Sequence, residues 1–169
     1  MNLILNIDTS LETAVVNIAD NGIVIVEKLN PHQKNHSAFL ENGINQILQK
    51  TGIQLDDLSA IALVAGPGSY TGLRIGMASV KALCYALQKP LILLNKLEVL
   101  TTAALKQKAE IAESSLFCPM IDARRMEVFT AIYNHKLEAI MPPGALILEK
   151  NTFDETLEQN QMLFFGNGA

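Results

Sequence analysis

Four glycines crowd one short run of this chain: Ala65-Gly66-Pro67-Gly68-Ser69-Tyr70-Thr71-Gly72-Leu73-Arg74-Ile75-Gly76. A glycine-rich run that opens a helix can turn backbone N–H groups toward an anion. The spacing matches neither the Walker-type GxxxxGK pattern nor GxGxxG, and no lysine closes the run. Two readings stand open. One is a phosphate cradle; the other is a tight strand-to-helix turn needing positive φ and close packing. Asp8-Thr9-Ser10 ends the first apolar run with a carboxylate and two hydroxyls. Asp8 can anchor Mg²⁺ or cap its own turn. Capping is favoured, because Leu11 and Glu12 fill the loop with bulk and with a charge that repels phosphate. His32 and His36 stand four apart, the best metal-ligand spacing in the chain. No cysteine or third histidine lies near them, and a metal site needs three or four ligands. Asn35-His36-Ser37 reads instead as a helix start. His135 reads as a solvated turn residue. Arg124-Arg125 can meet a nucleic-acid phosphate or simply occupy a solvated hairpin corner. Ser10, Ser37 and Ser69 have no recognisable base partner, so a serine hydrolase finds no support.

These residues need elements to hold them. Leu3 to Ile7, Thr13 to Ile18 and Ile23 to Leu29 read as three strands, with Asp20-Asn21-Gly22 as the hairpin turn between the last two. From Ser37 to Lys50 the period becomes helical, with Leu40, Ile44, Ile47 and Leu48 on one stripe and Gly52 closing it. Ser59 to Ala65 is a buried strand leading into the glycine run. Thr71 to Gln88 is a long helix, Leu91 to Leu94 a short strand, and Lys96 to Lys108 a helix. This βββαβαβα order predicts a mixed sheet covered by helices over residues 1–108. Residues 109–169 read as a smaller, incomplete second lobe. Its strands are Phe117 to Asp122, Glu127 to Tyr133 and Met162 to Phe165. Met141-Pro142-Pro143-Gly144 is a loop, and Thr152 caps a short helix to Gln159 with Glu155 at capping-box spacing. Gly166-Asn167-Gly168-Ala169 reads as a lead into a further element, so a clipped chain is expected. No internal repeat is visible.

Composition narrows the class. The 169 residues allow one ordinary domain or two small ones. With 49% hydrophobic and 18% charged residues, a disordered chain is excluded. Only 5% is aromatic and tryptophan is absent, so Leu, Ile, Val and Ala must build the core. A net charge of −4 argues against a strongly basic nucleic-acid binder. Cys84 and Cys118 form no disulfide framework and no CxxC, which suits a reducing compartment. Asp8 interrupts the N-terminal apolar run, and no basic segment precedes it, so no signal peptide is read. No apolar stretch reaches the roughly 18 residues of a membrane span. A cytoplasmic protein with no membrane contact is the expectation.

The helix after the glycines has two characters. Leu73, Gly76, Met77, Val80, Leu83, Cys84 and Leu87 should cover the sheet. The opposite side carries Ile75, Ala78, Ser79, Ala82 and Ala86, flanked by Arg74, Lys81 and Tyr85. Charge is scarce here, and small residues admit a close helix. Either a helix of the same chain covers this side or a partner chain does. The partner is the favoured reading.

Three blocks now carry a resemblance. Asn6-Ile-Asp-Thr-Ser-Leu-Glu-Thr-Ala-Val-Val16, the run Ala65 to Ala82, and Pro119-Met-Ile-Asp-Ala-Arg-Arg-Met-Glu-Val128 together resemble the TsaB (YeaZ) family. The first two are shared with the paralogous TsaD family, while Asp122-Ala123-Arg124-Arg125 points to TsaB. The resemblance implies the actin, Hsp70 and hexokinase fold, with two related lobes that each hold a mixed sheet, the second truncated here. It implies a noncatalytic scaffold and activator of TsaD, which transfers threonylcarbamoyl to N6 of adenosine in tRNA. The small ATPase TsaE joins the pair, tRNA is met through TsaD, and a homodimer forms when the protein is alone. No cofactor is implied. TsaD-like proteins hold a metal through histidines four apart, as in Asn-His-Met-Glu-Gly-His. The corresponding run Asn95 to Leu100 has Lys96 and Leu100 in their places, a cation and a side chain without a donor. The expected partner contact lies on Leu40, Ile44, Ile75, Ala78, Ala82 and Tyr85. The alternative is an ATP-binding ATPase or small-molecule kinase of the same fold.

Overall fold

A computed structural model describes residues 1–31, 36–107 and 112–169. His32 and Asn35 lie outside the described residues. The chain divides into two compact units, Met1–Leu94 and Asn95–Ala169.

In the first unit, β1 (Leu3–Asp8), β2 (Ala14–Asp20) and β3 (Ile23–Asn30) form the expected antiparallel meander. Asn21 and Gly22 both take positive φ, 48° and 83°, as a two-residue hairpin turn requires. The chain continues through α1 (His36–Thr51), a 3₁₀ turn (Leu55–Asp57), β4 (Ala60–Gly66), α2 (Tyr70–Leu87) and β5 (Leu91–Asn95). The sheet order is β3-β2-β1-β4-β5, and β4 runs parallel to β1. Strand alternation sends Leu3, Leu5 and Ile7 of β1 and Val16 and Ile18 of β2 to one face. There they pack with Leu40, Ile44 and Ile47 of α1 and Val80 of α2.

In the second unit, α3 (Lys96–Gln107) packs on β6 (Leu116–Arg124) and β7 (Glu127–Tyr133). The boundary therefore falls before α3, not after residue 108 as the sequence order suggested. The helix is assigned by what it packs on, and that is not written in element order. β8 (Ala139–Ile147), α4 (Asp154–Gln159) and β9 (Met162–Phe165) complete a mixed sheet ordered β8-β7-β6-β9, with β9 parallel to β6. Two local expectations are corrected here. Met141-Pro142-Pro143-Gly144 lies in β8, not in a loop. β8 is an edge strand, so a proline without an N–H interrupts no ladder on its outer side, and the pairing with β7 shifts register there. α4 is capped at Phe153, not Thr152, whose hydroxyl exchanges hydrogen bonds with the Glu149 backbone.

The structure also contains the repeat that the sequence does not display. Three antiparallel strands, a helix and a strand parallel to the first occur in β1–β4 and again in β6–β9. Asp8 ends β1 and Asp122 lies two residues before the end of β6, and each carboxylate accepts the N–H two residues on, at 2.9 Å from Ser10 and 2.7 Å from Arg124. Gly66-Pro67-Gly68 starts at the last residue of β4, and Gly166-Asn167-Gly168 follows β9. The α/β fold of two related lobes with mixed sheets is thus present. Among the described residues, no helix is long and apolar enough to cross a membrane.

Candidate functional site

The glycine run sits directly on the turn between β1 and β2. Ser10 donates its N–H and its hydroxyl to Asp8 Oδ1, at 2.9 and 2.6 Å. The Ser10 carbonyl in turn accepts the N–H of Ser69 at 2.7 Å. Ser69 is the N-cap of α2: its Oγ accepts from Gly72 N at 3.3 Å and its carbonyl from Leu73 N at 2.8 Å. Thr9 Oγ1 donates to the Gly72 carbonyl at 2.7 Å. A Cβ on Gly68 would fall on the Ser10 carbonyl oxygen, one on Gly72 on the Thr9 carbonyl oxygen, and one on Gly76 would stand 2.5 Å from Thr9 Oγ1.

This geometry decides between the two readings of the glycine run. The N–H groups of Ser69, Gly72 and Leu73 already have protein acceptors, and the space beside the glycines is filled by protein: backbone at Gly68 and Gly72, side chains at Gly66 and Gly76. Close packing, with φ of 117° at Gly66 and 156° at Gly68, is what the run provides. Asp8 is a turn cap, as favoured. Thr9, Gly72 and Gly76 were not singled out as a set by sequence reasoning. Their signal was present all the same: glycines four apart on a helix share one stripe.

The other side of α2 faces outward. Ala78, Ala82 and Ala86 are exposed, and Tyr85 is 82% exposed. Ile75 is half-buried against the core of the first unit. At the N-terminal end the Arg74 guanidinium lies 4.3 Å over the ring of Tyr70, which is itself exposed. Leu40 and Ile44 require a correction. They are 2% and 7% exposed and belong to the first unit's own core, so neither has area left for a partner. The α1 stripe at i, i+4 and i+7 turns Leu40, Ile44 and Ile47 together onto the sheet. What α1 shows outward is polar: Glu41, Asn42, Asn45, Gln46 and Gln49. A groove of about 600 Å³ opens between the last turns of α1 and α2, floored by Leu48, Leu55 and Leu87 and rimmed by Asn45, Gln49 and Asp56.

The remaining candidates are dispersed. His36 is buried, and its Nε2 bonds the Leu11 carbonyl at 3.0 Å. Its place at the start of α1 agrees with the helix-start reading. His135 is not simply solvated: its ring meets Phe117 edge-on and Nε2 lies 2.8 Å from the Ala112 carbonyl. Arg124 and Arg125 are exposed at the β6–β7 corner, and both have positive φ. Lys96 is buried and partnered, and Leu100 is half-buried. Among the described residues, no group of three His, Cys, Asp or Glu side chains could hold a metal ion.

Comparison with known proteins bears directly on this arrangement. The family model described as "TsaD: tRNA N6-adenosine threonylcarbamoyltransferase" matches residues 27–156. A Bacillus subtilis protein, "tRNA threonylcarbamoyladenosine biosynthesis protein TsaB", is 35% identical over 148 residues, which cover 86% of this chain and 62% of that protein. The chain belongs to the TsaB/YeaZ family. It spans less than two thirds of the length of that TsaB relative. An Anaplasma phagocytophilum "tRNA N6-adenosine threonylcarbamoyltransferase" is 36% identical over 112 residues, 57% of this chain and 32% of that one, as expected of a related branch. In three dimensions, "YeaZ from Pseudomonas aeruginosa" superposes with a TM-score of 0.77 at 28% identity, covering 89% of this chain and 69% of the other.

Proposed function

We propose that this TsaB/YeaZ-family chain is a noncatalytic subunit that docks the outward face of α2 on a TsaD paralogue. Docking supports the conformation in which TsaD transfers threonylcarbamoyl to N6 of adenosine in tRNA. One observation carries the reading. A long helix presents Ala78, Ala82, Ala86 and Tyr85 to solvent, while its opposite stripe is gripped by its own fold. Small residues allow a second helix close approach, and an exposed tyrosine and arginine are the side chains that most often anchor such contacts. TsaE joins this pair, tRNA is reached through TsaD, and a second copy of the chain covers the same face when TsaD is absent. The setting is cytoplasmic.

The glycine run supports a binding role over catalysis. The N–H groups of Ser69, Gly72 and Leu73 are occupied by protein, and Ser10 closes the β1–β2 turn with its own hydroxyl. No cofactor enters this function.

The test is Ala82→Arg. An uncompensated charge buried in a dry interface costs about 3–5 kcal/mol, so co-elution with TsaD should be lost and threonylcarbamoyl transfer by TsaD should fall with it. Co-elution unchanged by Ala82→Arg would remove this face from consideration. Tight ATP binding with turnover by the chain alone would favour the ATPase or kinase alternative instead.

A further inference from the structure

We infer that Thr9 is the positioning residue of the α2 face, gripping the helix at Gly72 and Gly76. The inference rests on the docking role proposed for that face. Thr9 is fully buried, and its Oγ1 donates to the Gly72 carbonyl at 2.7 Å. The Thr9 carbonyl oxygen fills the space a Cβ on Gly72 would need. Thr9 Oγ1 does the same at Gly76, where a Cβ would stand 2.5 Å away and 3.0 Å from Leu63 Cδ1. Glycine inside a helix costs about 1 kcal/mol relative to alanine, and α2 carries two of them on one stripe. The helix forgoes that propensity to lie against the backbone of the β1–β2 turn.

The outward face is the far side of the same cylinder. At about 100° per residue, Ala78, Ala82 and Tyr85 stand roughly 180–240° round from Gly76. A lift of α2 at Gly72 or Gly76 therefore displaces these three side chains without changing any of them. Contacts at a packed interface tolerate only about 0.5 Å of misplacement.

The two collisions differ in kind. At Gly76 the nearest obstacle is a side-chain oxygen, which Thr9→Ala removes, and the other, Leu63 Cδ1, is the end of a flexible side chain that can give way. At Gly72 the obstacle is a backbone oxygen, which every residue at position 9 carries. Binding to purified TsaD is measured by calorimetry for Thr9→Ala, Gly76→Ala, Gly72→Ala and the two doubles, with Ala82→Arg alongside. Circular dichroism and melting temperature separate a displaced helix from an unfolded chain. Gly76→Ala should weaken binding about tenfold, or 1.4 kcal/mol, although alanine is the better helix former. Thr9→Ala/Gly76→Ala should return to the affinity of Thr9→Ala alone. Thr9→Ala/Gly72→Ala should stay as weak as Gly72→Ala. Wild-type affinity for Gly76→Ala, failure of Thr9→Ala to restore it, or equal rescue at both glycines would overturn the positioning role. Those results leave the docking face standing as long as Ala82→Arg abolishes binding. If Ala82→Arg binds normally, the docking face falls and the positioning role falls with it. Should Gly72→Ala not fold, the Gly76 pair decides the matter.

Discussion

Two buried side chains of the second unit make the residue-scale chemistry measurable. Tyr133 is 1% exposed, and among the described residues its hydroxyl has no hydrogen-bond partner. Burial, and then the charge of Glu98, push its pKa up. Burial also pushes the Cys118 thiol up, against a smaller opposing effect of its bond to the Thr130 hydroxyl. Both groups are held neutral by the fold. Their contribution to stability is complete at neutral pH and is lost as pH rises, once the unfolded chain ionises and the folded one does not. Urea midpoints should be flat from pH 7 to 8 and decline above about pH 9. An unmet buried hydroxyl costs about 1–3 kcal/mol, so Tyr133→Phe should leave stability equal or higher at pH 7. It should also lessen the loss above about pH 10. A destabilised Tyr133→Phe protein in urea titration would show that the hydroxyl has a partner after all.

At the scale of elements, the glycine turn and α2 form one device. Ser69 caps the helix, and Ser69→Ala should lower stability by about 1 kcal/mol in thermal or urea unfolding. The α2 helix was legible because its apolar stripe and its flanks agree: glycine and serine at the start, Pro90 beyond the end. The Met141–Gly144 segment was misread for a definite reason. Proline is a strand breaker in general, but not at the open edge of a sheet, and edge position is a property of pairing. Leu40 and Ile44 were misplaced for a similar reason. Periodicity shows that α1 has an apolar stripe but not which surface the stripe meets.

The whole molecule has two units, each with its own core. Leu5→Ala should cost about 2–5 kcal/mol, because the side chain is completely buried among β1, α1 and their neighbours. Its effect should be local to residues 1–94. Hydrogen exchange should accelerate in β1–β4 while Phe117–Ile121 and Val128–Ile132 keep their protection. Equal acceleration in both units would mean that they unfold as one. The pairing of topologies between the units went unseen in sequence, since little more than Ile7-Asp8 against Ile121-Asp122 and the two glycine turns remains alike. A sheet order tolerates replacement of nearly every side chain provided the period of two persists.

By itself the sequence determined the three long helices and the strands other than β8, the composition of the core, the turn at Asn21-Gly22 and the family blocks around Asp8, Gly68 and Asp122. These are local quantities, set by period, propensity and φ requirements over a few residues. Tertiary structure alone decided that the glycines of α2 receive the Thr9 backbone and hydroxyl rather than a phosphate. It also turned Leu40 and Ile44 inward while leaving Ala78, Ala82 and Tyr85 in solvent, and placed α3 with the second unit. Each of those outcomes depends on contacts between residues far apart in the chain. A helical stripe or a glycine states that something must pack closely, and only the assembled fold supplies what does.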